Sequence, residues 1–386
     1  MIRPFVFALS LAVAGLASAA TILPAPPQIA AKSWFLMDAQ SGHVLAEHNA
    51  DQRLPPASLT KLMTSYVLSH ELAEGRVSAA DEVLISDNAW AQNPIFAGSS
   101  LMWIETGKRV TLEDLHRGVV ISSGNDASVA IAEHLAGSET AFADVMNGHA
   151  AALGMSGSHF VNSHGLPDPD HYVTARDLAL LANALISRYP REYALYSERK
   201  FTYNDIPQYN RNHLLMEDPS VDGLKTGHTE EAGYCLVASA KREGMRLISV
   251  VMGTKSIRSR ESESRNLLNY GFRFYKTHEL YQAGEKTTST RLWKGRQREL
   301  ALGVTEQIYL TVPRGRSADL VALMEVDEVI TAPVNKGDVF GQLRVSLDNE
   351  ELVSVPLVAL QAVEQSGFFA RLWDHILMLL AQLFDG

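Results

Sequence analysis

Apolar positions along this 386-residue chain change period several times, and the changes mark its elements. An alternating run from Ser33 to Ala39, the turn pair Ser41-Gly42 and a second run from His43 to Glu47 predict a β-hairpin. Pro55-Pro56 ends it. Helical spacing follows from about Leu59 to Glu74 and stops at Gly75. Further helices are predicted over 111–121, 125–136, 139–153 and 174–188. Thr111-Leu112-Glu113-Asp114 and Thr174-Ala175-Arg176-Asp177 open two of them as capping boxes, with aspartate in place of glutamate. Two apolar strands, Tyr234–Ala240 and Met245–Gly253, flank Lys241–Gly244, and a helix runs on from about Arg260 to Tyr275. Strands at both ends with helices between them predict an α+β domain, a helical cluster packed on an antiparallel sheet.

From about Leu280 the texture changes. Short alternating runs recur at Gln307–Val312, Ala318–Val326 and Leu343–Leu347, separated by turn signals at Pro313–Gly315, Asn335–Asp338 and Asp348-Asn349. That spacing predicts a small all-β domain. The last twenty residues differ again. On a helix, Arg371, Asp374, His375, Gln382 and Asp385 share one arc, while Phe368, Phe369, Leu372, Trp373, Ile376, Leu377, Leu379, Leu380, Leu383 and Phe384 fill the opposite half. The polar stripe excludes a bilayer span, and the segment is expected to be an amphipathic anchor on a membrane surface. The stripe holds more acid than base, so attraction to anionic lipid is not built into the helix itself. At the other end, Arg3, the apolar run Phe5–Leu16 and the small residues Ala17-Ser18-Ala19 form a signal-peptide pattern, which implies export. The expected organisation is a leader over 1–19, a first domain over 20–278, a β-rich domain over 279–365 and a terminal helix over 366–386.

Charge and cysteine count narrow the function. A net charge of −10 argues against a nucleic-acid partner, because phosphate binding needs a basic face. The single cysteine, Cys235, excludes an internal disulfide; it lies in the apolar run Gly233–Ser239 and is expected to be a packed core residue. No HExxH or CxxC pattern occurs, so the sequence gives no support to a metal site, and no cofactor is expected.

Three short patterns then carry chemistry. Ser58-Leu59-Thr60-Lys61 opens a helix after two prolines, so the Ser58 hydroxyl sits where the helix dipole favours developing negative charge, with Lys61 one turn on along the same face. To act as a base Lys61 must be neutral; burial and a second cation, for which Lys225 is the candidate, would make it so. Ser123-Gly124-Asn125 sits between two apolar helices, where glycine permits a tight turn that points a hydroxyl and an amide into a cleft. Ser123 would relay a proton to a leaving amine, and Asn125 would hold a substrate amide. Lys225-Thr226-Gly227 follows Asp222-Gly223, read as a turn, and precedes a strand. Lys225 and Thr226 would bind a terminal carboxylate, and Gly227 would let a substrate backbone approach. The N–H groups of Ser58 and His228 would form an oxyanion hole, and Arg260 is a further carboxylate binder. Two of the patterns have decoys, Ser197-Glu198-Arg199-Lys200 and Ser86-Asp87-Asn88, so placement, not spelling, carries the reading.

In Pro56–Thr64, Ser123–Ala127, Val221–His228, Gly271–Phe274 and Val312–Gly315 the chain resembles the low-molecular-mass penicillin-binding proteins that are serine-type D-alanyl-D-alanine carboxypeptidases. The resemblance covers nearly all of the chain beyond the leader. It implies that Ser58 is acylated, that Lys61 is the general base, that Ser123 is the third catalytic group, and that Lys225, Thr226, His228 and Arg260 recognise substrate. It also implies a β-rich second domain, a membrane-surface tail at the periplasmic face of a bacterial inner membrane, peptidoglycan stem pentapeptides as substrate and acylation by β-lactams. Class A β-lactamases use S-D-N and a deacylating glutamate. Here the second pattern is S-G-N, and the loop Asn162–His171 carries no glutamate. A transpeptidase or endopeptidase would share Ser58 and Lys61. A non-catalytic sensor of muropeptides or β-lactams is disfavoured because all three patterns are intact.

Overall fold

The computed structural model describes residues 23–384; the leader expected over 1–19 lies outside them. The predicted hairpin forms as β1 (Ser33–Asp38) and β2 (Val44–His48), paired antiparallel with Leu36 opposite Ala46. After the prolines, a 3-10 turn over Ala57–Thr60 leads into α1 (Lys61–Ala73), so Ser58 stands in a tighter turn than the expected first turn of an α-helix. A short pair, β3 (Glu82–Leu84) and β4 (Arg109–Thr111), precedes α2 (Leu112–Arg117), which winds on as a π-type segment to Ser122. Next come α3 (Asn125–Ala136), α4 (Glu139–Ala152), α5 (Ala175–Arg188) and the short α6 (Pro190–Tyr193). Thr111 and Thr174 cap their helices by accepting from the N–H groups of Asp114 and Asp177. The Asp177 carboxylate does not close its box; it accepts from Gly157 N–H and the Ser158 hydroxyl instead.

The hairpin of β5 (Lys200–Tyr203) and β6 (Ile206–Tyr209) and the short α7 (Leu214–Glu217) lead to β7 (Val221–Thr229), β8 (Gly233–Arg242), β9 (Met245–Thr254) and α8 (Ile257–Phe274). Asp222-Gly223 is therefore not a turn: it lies inside β7, and the whole Lys225-Thr226-Gly227 pattern lies within that strand rather than before it. The five strands form one antiparallel sheet in the order β2-β1-β9-β8-β7, leaving β7 at an edge. Both faces are covered, as the period of two requires. Phe35, Met37, Val237 and Ile248 pack under the helical cluster, while Leu36, Leu236, Ala238 and Leu247 pack under Leu267 and Leu268 of α8. Cys235 is fully buried in this sheet, and burial pushes its thiol up to about 11, as expected of a core cysteine.

The β-rich region starts with β10 (Tyr275–Tyr281), paired with β13 (Ile308–Pro313). β11 (Lys286–Trp293), β12 (Glu299–Gly303), β14 (Val321–Val326), β15 (Ile330–Thr331), β16 (Val339–Leu347) and β17 (Glu350–Ala359) make a second sheet around Leu292, Leu302, Leu310, Leu343 and Leu357. α9 (Phe368–Phe384) closes the described chain. The α+β architecture with an all-β second domain and a terminal helix is thus the one expected.

One carboxylate ties the two parts together. Asp38, fully buried at the end of β1, accepts from the Ser41 N–H at 2.8 Å and from the hydroxyls of Ser41 at 3.0 Å and of Thr277, on β10, at 2.7 Å. The Ser41 hydroxyl also meets that of Thr311, on β13, at 2.7 Å. Removing a buried charged acceptor strands every one of these donors. Asp38→Ala should lower unfolding stability by roughly 2–4 kcal/mol, and Thr277→Val by less. Urea midpoints measure both, and an unchanged midpoint for Asp38→Ala would show the network to be idle.

Candidate active site

The turn that carries Ser58 is built by steric necessity. Ala57 adopts a left-handed backbone with φ of 50°, a strained setting of the kind found beside reactive groups. Gly165 packs directly on this turn: a Cβ there would fall 1.8 Å from the Ala57 carbonyl oxygen, and its φ is already +91°. Gly227 packs on it from β7, where a Cβ would stand 3.0 Å from the Pro56 carbonyl oxygen and 3.2 Å from Leu59. Sequence reading assigned Gly227 to the approach of a substrate backbone. The structure adds that its small size also eases close packing on the protein's own serine turn.

Lys61, the first residue of α1, is completely buried, yet its amine donates to the Ser58 hydroxyl at 3.0 Å. It also donates to the Asn125 side-chain oxygen at 2.6 Å and to the His164 carbonyl at 2.7 Å. All three donors of an ammonium have acceptors, so orientation is fixed. Burial pushes the Lys61 amine down to about 7, against the pull of the Asp126 carboxylate and with the help of the Arg211 guanidinium. Lys225, the second cation expected nearby, is itself held down by Lys61, and Arg211 adds a further cation that lowers Lys61.

Ser123 lies between the π-type segment and α3 in the left-handed region, φ 62°, and this turn aims its hydroxyl at Lys225. The Lys225 amine, itself buried, donates to the Ser123 hydroxyl at 2.9 Å and to the Thr226 carbonyl at 3.0 Å. Burial drives this amine far below the usual lysine range, and Lys61, Arg211 and Arg260 push it the same way. Lys225 therefore stands behind Ser123, not on the cavity wall where a carboxylate binder was expected. Asn125 likewise spends its oxygen on Lys61, which leaves its amide nitrogen for a substrate carbonyl.

The loop between α4 and α5 forms another wall. His164, unremarked in the sequence, receives Lys61 on its carbonyl and turns its ring toward the cavity. Its Nδ1 accepts from Leu166 N–H, its Nε2 faces Glu139 at 3.2 Å, and burial with Lys61 nearby holds the ring neutral, at about 3. Glu139, at the start of α4, is not among the residues that line the cavity. Glu139 is occupied by the Ser163 N–H at 3.0 Å and hydroxyl at 2.7 Å. His171 accepts from Val161 N–H and meets the Thr60 hydroxyl at 2.8 Å, which donates in turn to the Ala57 carbonyl. Burial holds His171 neutral too, at about 4.

These groups open on one cavity of about 420 Å³, lined by Ser58, Ser123, Asn125, His164, Thr226 and His228 among others. Its cationic side is made by Arg211 and Arg260. Arg260 is nearly buried at 5% exposure; its guanidinium lies 5.9 Å from the Tyr234 ring, its contacts to the Gly227 and Arg211 carbonyls are long, and its Nε has no hydrogen-bond partner among the described residues. His228 stacks on the same Tyr234 ring at 4.0 Å. A fourth wall, the loop carrying Ser99 and Ser100, hangs from Asp126, whose buried carboxylate accepts from the N–H groups of Met102 and Trp103, both at 2.8 Å, and of Ile104 at 3.2 Å.

The two decoys resolve cleanly. Ser86 and Asn88 both donate to Glu133 on α3, and the Ser197 hydroxyl donates to the carbonyl of Ala194. Neither lines the cavity.

Comparison with known proteins agrees with this geometry. Residues 20–256 match the family model for D-alanyl-D-alanine carboxypeptidase, peptidase S11, and residues 275–365 match that for the penicillin-binding protein 5 C-terminal domain. The chain is 45% identical over 367 residues to the D-alanyl-D-alanine carboxypeptidase DacA of Escherichia coli K12, covering 94% of this chain and 91% of that one. It is 45% identical over 361 residues to DacC of the same organism, covering 93% and 90%. Among solved structures it is similar to penicillin-binding protein 5 from Haemophilus influenzae, with a TM-score of 0.84 and 41% identity over 89% of this chain and 100% of that one.

A lysine that loses its proton near pH 7 gives acylation a definite pH dependence. Below that value Lys61 is protonated and cannot take the Ser58 proton; above it the amine is free. The second-order rate of acylation by a β-lactam should therefore rise through about pH 7 and level off. Lys61→Arg, which stays charged, should lose on the order of 10³-fold. A rate constant flat from roughly pH 5 to 9 would remove Lys61 from the role of base.

Proposed function

Because the chain belongs to the D-alanyl-D-alanine carboxypeptidase family of serine hydrolases, peptidase S11, and is such a carboxypeptidase of the penicillin-binding class, we propose how its residues divide that reaction. The observation that carries the assignment is the pairing of two buried lysine amines with two hydroxyls across one cavity, Lys61 with Ser58 at 3.0 Å and Lys225 with Ser123 at 2.9 Å.

The substrate's penultimate D-alanine presents its carbonyl to Ser58. Lys61, neutral, takes the hydroxyl proton as the Ser58 oxygen attacks, and the oxyanion faces the N–H groups of Ser58 and His228. The C–N bond then breaks. Ser123 delivers a proton to the departing amine of the terminal D-alanine and recovers one from Lys61, so acylation ends with Lys61 neutral and able to activate water. Lys225 holds the Ser123 oxygen while its proton is in transit. Asn125 receives the substrate amide through its side-chain nitrogen. Thr226 and the unpartnered edge of Arg260, with Arg211 nearby, receive the terminal carboxylate, because guanidinium matches that group's geometry. The natural substrate is the stem pentapeptide of peptidoglycan, and β-lactams acylate Ser58 by the same first step.

The protein's place is at the outer face of the inner membrane, with the leader directing export and α9 lying on the bilayer surface. Among the described residues no helix is long and apolar enough to cross a membrane. At the start of α9 two polar residues meet the protein: the Asp374 carboxylate accepts from the Lys294 N–H at 2.7 Å, beside the end of β11, and Arg371 donates to Gln365 at 2.7 Å. The apolar half is left outward, with Phe368, Phe369, Leu372, Trp373 and Ile376 all exposed, Phe369 by 83%. Asp374 thus serves docking on the protein.

Release of D-alanine from a diacetyl-lysyl-D-alanyl-D-alanine peptide tests the catalytic reading. The intact protein should release it and Ser58→Ala should not; equal release by both would sink the assignment of Ser58. Truncation before Gly367 tests the anchor. The shortened protein should move from the membrane pellet to the soluble periplasmic fraction, and retention in the pellet would refute a surface role for α9.

A further inference from the structure

We infer that the turn joining β11 to β12 is a binding site for anionic phospholipid headgroups, acting beside α9. The inference rests on α9 being a surface anchor, and it supplies the charge that helix lacks. In a chain of net charge −10, the eight residues Arg291–Arg298 hold Arg291, Lys294, Arg296 and Arg298 and no acid. The turn is fastened to the root of the helix. Arg296 N–H donates to the Glu364 carbonyl at 2.9 Å, Gly295 bridges to Gln365, Ser366 N–H donates to the Lys294 carbonyl at 2.8 Å, and Lys294 N–H donates to Asp374. The cations are thereby held at the root of α9, against the side that carries Asp374.

The local charge balance favours an anionic partner. Among the described residues, Glu364 and Asp374 contact the turn and Glu299 follows it in sequence. Asp374 is occupied by the Lys294 N–H, and Glu364 pairs with Arg296 at 3.0 Å in an exposed contact. Against them stand the four cations of the turn and Arg371, whose guanidinium donates to Gln365. Arg296 and Arg298 are exposed, and Arg291 lies flat on Trp293, 3.5 Å from the ring centre. Amphipathic area binds any bilayer, whereas basic residues within a Debye length add attraction only to an anionic one. The chemistry that fits is a lipid phosphate carrying net negative charge, as in phosphatidylglycerol.

Vesicle co-sedimentation of the full chain separates the two contributions. Vesicles of phosphatidylcholine alone and vesicles with about a third phosphatidylglycerol are compared, for the intact protein and for Lys294→Gln with Arg298→Gln. The intact protein should prefer the anionic vesicles, and roughly half-molar salt should erase that preference. The double variant should lose ~10-fold or more on anionic vesicles, keep its binding to neutral ones and release D-alanine as before. Equal binding of variant and intact protein to anionic vesicles would overturn the headgroup site while leaving the anchor standing. Loss on both vesicle types would make the turn a structural support of α9 instead. If the intact protein binds neither vesicle, the anchor reading fails and this site with it.

Discussion

Two lysine amines buried side by side constrain everything around them. A buried ammonium is costly unless its donors are met, and a second one nearby raises the cost of both. The fold answers by meeting each donor and by letting burial push the protons off. Lys61 is fixed by a serine, an asparagine and a backbone carbonyl from three separate segments, and Lys225 by a serine and its own strand. No single element could supply these acceptors. The five-stranded sheet, α1, α3 and the loop before α5 must all be in register before either amine is tolerable, so the reactive state of the lysines and the integrity of the domain are one condition.

Much of this was legible because the signals are local. The hairpin, α1, α3 to α5, β8 and β9 follow from period, caps and breakers, and the order of the three motifs with their flanking elements identifies Ser58, Lys61, Ser123 and Lys225 as a set. What was not legible is long-range. His164 reaches Lys61 through its carbonyl, which no side-chain motif encodes. Arg211 acts on Lys61 from 150 positions away in a segment with no pattern of its own. Asp126 was read only as part of the motif's surroundings, yet it suspends a whole wall of the cavity. Roles moved for the same reason. Lys225 looked like a carboxylate binder until the fold put it behind Ser123, and Asp222-Gly223 spelled a turn although the edge of the sheet needed a longer strand.

The junction between the two parts follows a related economy. Asp38 ends β1 and caps its own turn, yet one of its oxygens is given to β10. A single buried carboxylate thus couples the first strand of the catalytic sheet to the first strand of the β-rich region, and that region in turn holds the tail through Lys294 and Asp374. The chain of contacts from active-site sheet to terminal helix is continuous among the described residues.

The seat of Ser58 bears on how such an enzyme can change. Its turn is hemmed by Gly165, which has no room for a single added carbon, and more loosely by Gly227, where an added carbon would make the neighbours shift by a few tenths of an ångström. Any substitution at Gly165 adds at least that carbon, so that position is closed. The wall that hangs from Asp126 is held differently: its anchoring N–H groups belong to Met102, Trp103 and Ile104, of which Met102 and Ile104 are buried in the core, while Ser99 and Ser100 give none of these bonds. Ser99 and Ser100 therefore line the cavity with fewer constraints on side-chain type than the turn that seats Ser58.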